Sequence, residues 1–399
     1  MSRGIDGVRR HPASRGILRI GRLNTFVCML LVSSIALAQP TDRDRPAANE
    51  ALQMARAAAA FLDGLTEMQR AQAVYAFTGP NRTNWSNVPM FVHPRPGVRV
   101  GELDEQQRRA AQALLRASLS SQGYQKVAGI MRLDSIHGAM ELEQLEREGP
   151  PEDARPFHRE EAESFGAGSY GIAIFGEPAP DASWGWILQG HHLAASFTVA
   201  SGRVAFTPLF LGATPLVLEH GIDAGWSALP HEAGRGFELM AALSDAQRTI
   251  ATESGDVPGD VIYGVGNKDR LPQPAGLKAS DMTEEQQRLL RMLVEEYIRN
   301  ASNAVAQLQL DAIAQSGWDR LWFAWRGATG NASAALYYRV QGPRIFIELS
   351  QRPNHVHTIV RDPLNDYGEN WLGETLTEEH TANDRFETAT RAYESAESY

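Results

Sequence analysis

Gly171-Ile172-Ala173-Ile174-Phe175-Gly176 and, after a proline-containing break, Trp184-Gly185-Trp186-Ile187-Leu188-Gln189 read as two β-strands: apolar, aromatic-rich runs bounded by glycine and proline. His192 to Val199 and Arg203 to Phe210 continue the series, which predicts antiparallel hairpins at the centre of the chain. The sequence before them is helical in texture. Pro46 opens an alanine-rich helix through Leu62 that Asp63-Gly64 stops. Thr66-Glu67-Met68-Gln69 has capping-box form and predicts a helix to about Phe77. Asp104 caps a helix from Glu105 to about Ser120, and helical spacing returns at Tyr124, Val127, Ile130, Met131 and Leu133.

Beyond the hairpins the pattern fades over about 216–280 and then restarts. Asp281 to Arg288 echoes Leu103 to Arg108, Trp322 to Gly327 answers Ile172 to Gly176, and Tyr337 to Gly342 answers Trp184 to Gly190. The glycine-to-glycine separation is 14 residues in the first copy and 15 in the second. The expectation is an α+β fold, a central antiparallel sheet of hairpins with helices packed outside. It forms one domain over 39–399, within which two similar helix–hairpin halves, about 100–215 and 280–368, are one construction and convergent strand grammar the other.

Arg9-Arg10, Arg15, Arg19 and Arg22 precede an apolar run from Phe26 to Leu37 that ends in Ala36-Leu37-Ala38. This predicts a secretory signal over 1–38, cleaved after Ala38, because the run is too short for the roughly 20 residues of a membrane span. The expected location is secreted or periplasmic, with no stable membrane insertion after cleavage. The single cysteine, Cys28, lies in that leader, so the mature chain has no thiol for disulfides, metal or nucleophilic attack. Removing the leader, with its six arginines and one aspartate, takes the net charge from −10 to −15. Such acidity disfavours nucleic acid as a partner and leaves a small-molecule substrate or ligand.

Four of the eleven histidines fall in Gly190-His191-His192-Leu193 and Asn354-His355-Val356-His357. On a strand His355 and His357 share a face and Val356 points away, so H-x-H offers two imidazoles to one ion. By the same rule His191 and His192 face opposite ways, one joining the site and the other packing behind it. Asp362, Glu348 or Glu177 would add a further ligand. Nitrogen and carboxylate donors without sulfur suit a divalent transition metal: zinc, copper, manganese or iron. The plain alternative is four histidines bonded to backbone carbonyls that never meet.

Other segments carry both a chemical and a bland reading. Asp362 would ligate or orient a histidine ring, or pair with Arg361. Asp366 reads as part of an Asn365-Asp366 turn. Arg339 and Gln341 share a strand face and would hold a carboxylate or phosphate of a substrate, or Arg339 would pair with Glu348 across a hairpin. Arg82, Asn84 and Trp85 belong to a polar stretch of the kind that closes over a ligand, or that simply turns. No serine sits in a nucleophile elbow, and the glycines at Gly264 and Gly266 do not complete a dinucleotide-binding fingerprint.

Taken in order, these stretches resemble the DUF3500 family of uncharacterised exported proteins. The likeness rests on Arg82, Trp85 and Pro89, on Trp184-Gly185-Trp186 and Gly190-His191-His192-Leu193, and on Pro208 and Gly212. It continues through Tyr337 to Pro343, Asn354-His355-Val356-His357, Arg361-Asp362 and Asn365-Asp366-Tyr367-Gly368. The resemblance implies export, one family-length unit and, through relatives with peroxidase-like names, a redox alternative. This chain departs from the family at Leu349-Ser350-Gln351-Arg352-Pro353, where an acidic and asparagine-rich turn is more usual, which puts in doubt any ligand the resemblance would place in that turn. The functional expectation is an exported histidine-ligated metalloenzyme, hydrolytic if zinc-like, with Glu348 or Asp362 as general base. Its rivals are a redox metalloenzyme and a non-enzymatic ligand-binding protein.

Overall fold

Capping boxes form where the sequence places them. Thr66 accepts the Gln69 N–H and Gln69 returns to the Thr66 N–H, starting α2 (Glu67–Ala73), while Asp104 and Gln107 do the same for α3 (Glu105–Ser118). The computed structural model describes residues 45–373 apart from 150, 151, 153, 181, 268, 269 and 332. The leader expected over 1–38 lies outside these residues. The remaining helices are α1 (Arg45–Asp63), α4 (Ser121–Glu148), α5 (Arg155–Glu163), α6 (Glu232–Ala242), α7 (Asp245–Ala251), α8 (Glu284–Ile298) and α9 (Asn303–Ser316). Among the described residues no helix is long and apolar enough to cross a membrane.

The strands are β1 (Val74–Tyr75), β2 (Val98–Arg99), β3 (Gly171–Phe175), β4 (Trp184–Gly190), β5 (Leu193–Ala200), β6 (Arg203–Ala205) and β7 (Leu209–Ala213). They continue as β8 (Leu277–Lys278), β9 (Trp322–Gly327), β10 (Leu336–Gly342), β11 (Ile345–Arg352) and β12 (His355–Arg361). All join one 12-stranded sheet, ordered β1-β3-β4-β5-β7-β12-β11-β10-β9-β8, with β2 on β3 and β6 on β5. The pairings are antiparallel except β1 with β3, so the fold is α+β as the hairpin pattern predicts.

Alternation along each strand divides the sheet into two unlike faces. Ile172, Trp186, Phe197, Leu211, Tyr338, Ile347 and Val356 point to the helices and merge with Leu114, Ile130, Leu293 and Ile313 into the main core. The opposite face carries a smaller apolar cluster of Trp85, Phe175, Ile187, Phe210, Ile359 and Tyr367, covered by loops. On β12 this face receives His355, His357, Ile359 and Arg361. It is the face on which the chemistry collects.

Matching hydrogen bonds recur in the two halves of the sheet. Gln69 donates to the Glu102 carbonyl at 2.9 Å and Gln107 to the Gly64 carbonyl at 2.9 Å, while Gln247 donates to the Asp281 carbonyl at 2.9 Å and Gln286 to the Ala242 carbonyl at 2.9 Å. The two halves of the sheet meet where β7 pairs with β12, and Leu119 bridges Ala301 between them. There Gly123 lies so close to the Asn300 carbonyl that a Cβ would collide with it. The stretch around 216–280, patternless in sequence, contains α6 and α7, the counterparts of α1 and α2.

Two predicted elements end early. The helix expected to reach Phe77 stops at Ala73, because Val74 and Tyr75 join the sheet beside Ile174 and Phe175. The strand expected over Arg203–Phe210 breaks into β6 and β7 at Phe206-Thr207-Pro208, where proline has no N–H for a ladder.

Candidate metal centre

Two hairpin tips build the site. Gly190 pairs with Leu193, leaving His191-His192 as a two-residue turn, and Arg352 pairs with His355, leaving Pro353-Asn354 as another. His192 and Asn354 both adopt a φ of +61°, a left-handed conformation that asparagine tolerates and histidine visits less often. The turn is pinned on both sides: the His192 N–H donates to the Asn87 carbonyl at 2.9 Å, and the His192 carbonyl accepts the Gly212 N–H at 2.7 Å. Because the pair lies in a turn, the alternation expected of a strand does not apply. The rings of His191 and His192 stack instead, with centroids 3.7 Å apart.

His355 and His357 project from the same face of β12, as their spacing predicts, and β12 lies beside β7 with His357 opposite Gly212. Gly212 leaves room for the imidazoles. A Cβ there would stand 2.9 Å from Cδ2 of both His192 and His357. The three rings therefore close on one point: His355 Nε2 lies 2.9 Å from His192 Nε2 and 2.9 Å from His357 Nε2. One ligand atom from each of His192, His355 and His357 lies within 4.8 Å of the others, so these three side chains can hold a metal ion.

Carboxylates orient the rings from behind. Asp260 Oδ1 lies 2.6 Å from His357 Nδ1, with Asn87 Nδ2 3.5 Å from the same nitrogen. A proton on Nδ1 shared with Asp260 leaves Nε2 bare and aimed at the common point, the support that metal-binding histidines usually receive. Asp134 does the same for His191, 2.6 Å from its Nδ1, and its other oxygen accepts the Gly166 N–H at 2.7 Å.

Residues 47–369 match the family described as "Protein of unknown function (DUF3500)". The chain belongs to the DUF3500 family. No curated protein and no solved structure matches it. All three converging histidines of this DUF3500 protein, with Asp134, Asp260 and Gly212, fall inside the matched span.

Of the four histidines named from the sequence, the structure brings three together and turns His191 to Asp134 instead. The two proposed general bases are engaged elsewhere. Glu348, 0% exposed, accepts the N–H groups of Ile262 and Tyr263 at 2.6 and 2.9 Å and the Tyr337 hydroxyl at 2.8 Å. It anchors the loop that carries Asp260. Asp362 is held by Arg344 at 2.7 Å and Gln309 at 3.1 Å, at the opposite end of β12 from His355. Glu177 follows β3 at its far end and is exposed.

The residues proposed to contact substrate are likewise structural or apart. Arg82 donates to the Tyr367 carbonyl at 2.9 Å and covers the Phe77 ring. Trp85 is buried against Phe210 with its Nε1 on the Tyr367 hydroxyl at 2.8 Å, and Asn84 is exposed. Arg339 faces Glu348 in the strand register but makes its ion pair with Glu253 at 2.7 Å, while Gln341 donates to the Pro272 carbonyl. Sequence reasoning missed Asp260, Asn87 and Asp134. Asp260 carried a faint signal in Pro258-Gly259-Asp260, a turn placed in an otherwise patternless stretch.

The His192 and His355 imidazoles are kept neutral, the form that binds metal. Burial first, then the surrounding histidines, holds His192 well below its ordinary value. Burial followed by His357 and Arg352 brings His355 down from 6.5 to about 4. Burial alone would raise Asp260, but the His357 hydrogen bond and charge outweigh it and hold the carboxylate low. For bases depressed on folding, the stabilising contribution is full above the unfolded value and is lost as pH falls. Metal-free protein should therefore lose stability as pH drops from 6.5 towards about 4, read from urea midpoints, and His355→Ala should flatten that slope. Bound metal should be released over a window set by the same protons.

Proposed function

We propose that this protein is an exported metalloenzyme whose centre is a divalent transition metal held by Nε2 of His192, His355 and His357, with the remaining coordination positions open to water and substrate. The single observation that carries this reading is the convergence of three ring nitrogens without a hydrogen-bonding solution. His355 Nε2 faces two other Nε2 atoms at 2.9 Å each, and it has one proton at most to give. With either one proton or one lone pair, that nitrogen completes at most one of the two contacts, whereas a cation takes up all three lone pairs.

Three neutral imidazoles leave the full charge on the ion. Such an ion lowers the pKa of its bound water and polarises a carbonyl or phosphoryl oxygen, so a zinc-like metal makes the centre hydrolytic. With Glu348 and Asp362 committed to structural bonds, an ion held by His192, His355 and His357 would supply the activated water, and Asp260 keeps His357 in its ligating tautomer. The leader over 1–38 supports action outside the cytoplasm.

Elemental analysis of untagged protein beginning at Gln39 tests the reading. About one equivalent of zinc per chain is expected after dialysis against trace metals. Iron or copper in its place would redirect the chemistry to redox, and no retained metal at all would overturn the proposal.

A further inference from the structure

A second cavity lies at the opposite end of the loop-covered face. Its volume is about 350 Å³ and its lining includes Lys278, Arg320, Trp322, Gln341, Pro343 and Pro363. Gln341 is level with Phe346 and, through it, with Arg361, six residues along β12 from His355, which is about 20 Å at strand rise. The cavity is thus separate from the three histidines.

Its chemistry is specific. Trp322 and Gln341 are opposite partners on β9 and β10, so their side chains share a face. Gln341 is 7% exposed, and its Nε2 donates to the Pro272 carbonyl, which fixes the amide and turns Oε1 away. That oxygen is buried out of reach of water and has no hydrogen-bond partner, so a donor in the cavity meets it once the side chain shifts towards the opening. Lys278 has no ion-pair partner among the described residues, and Arg320 reaches only the Ser316 carbonyl at 3.3 Å. An indole and two prolines supply apolar wall, two cations supply positive charge, and one buried acceptor lacks its proton.

We propose that this cavity binds a small organic carboxylate with a ring-sized apolar body and a hydroxyl or amide donor. The carboxylate sits against Lys278 and Arg320, the body lies on Trp322 between the prolines, and the donor bonds Gln341 Oε1. This site is independent of the metal centre, and its test separates the two.

Isothermal titration of the full mature protein with 4-hydroxybenzoate, at low salt, is the experiment. Saturable one-to-one binding is expected. 4-Hydroxybenzamide, which keeps the ring and hydroxyl but lacks the charge, should bind at least tenfold more weakly, and benzoate should also bind more weakly. Lys278→Gln with Arg320→Gln should lower 4-hydroxybenzoate affinity at least tenfold. Gln341→Met should abolish the preference for 4-hydroxybenzoate over benzoate. His355→Ala should bind the probe undiminished. Absence of saturable binding, or equal affinity for carboxylate and amide on the unaltered protein, overturns the proposal without reliance on any variant. Unchanged binding by both sets of folded cavity variants overturns it as well.

Discussion

A chain carrying His355→Ala and His357→Ala together should retain no metal under conditions where the unaltered protein holds one ion. Only His192 of the three converging donors remains, and a single imidazole holds a divalent ion far more weakly than three. Affinity should fall by at least about 1,000-fold, ~4 kcal/mol. The same loss has a second readout: an ion at about 1,000 times its dissociation constant stabilises the folded state by roughly 4 kcal/mol. Added zinc should therefore raise the unfolding temperature of the unaltered protein and leave the double variant where it was. The fold should survive, because Val356 and Val360 of β12 remain in the main core. Equal metal content in the two proteins would refute the centre.

The second large effect concerns stability. Arg361 and Asp366 are each 1% exposed and 2.7 Å apart, and Arg361 also donates to the Tyr263 carbonyl at 3.0 Å and to the Gly264 carbonyl. Burial pushes the Asp366 carboxyl up, against the pull of Arg361. Arg361→Met removes the only cation in that bond set and strands a buried carboxylate with two carbonyls, a loss of about 3–5 kcal/mol. Urea unfolding should show it as a lower midpoint with an unchanged slope. Adding Asp366→Leu should recover part of the loss, since the stranded charge goes with it. A loss below about 1 kcal/mol would place this pair with ordinary surface contacts.

Much of the fold was readable because local rules and tertiary packing agree. The T-x-x-Q box at Thr66 and the strands from Gly171 and Trp184 stand where local chemistry puts them. His355 and His357 obey strand alternation, so their common face was legible. His191 and His192 were not, because a two-residue turn replaces alternation with stacking. Glu348 read as a ligand, a general base or the partner of Arg339 because the N–H groups it accepts, those of Ile262 and Tyr263, lie 86 and 85 residues away. Asp260 stayed hidden for a related reason: it meets His357 across 97 residues, from a loop with no periodicity of its own.

His192 and His355 are separated by 163 positions, and β12 slots between β7 and β11. The three donors can face one another only after the final strand has entered the sheet. Any ion these side chains hold would then be captured only once that strand is in place, and a chain that ends before His355 would lack two of the three donors.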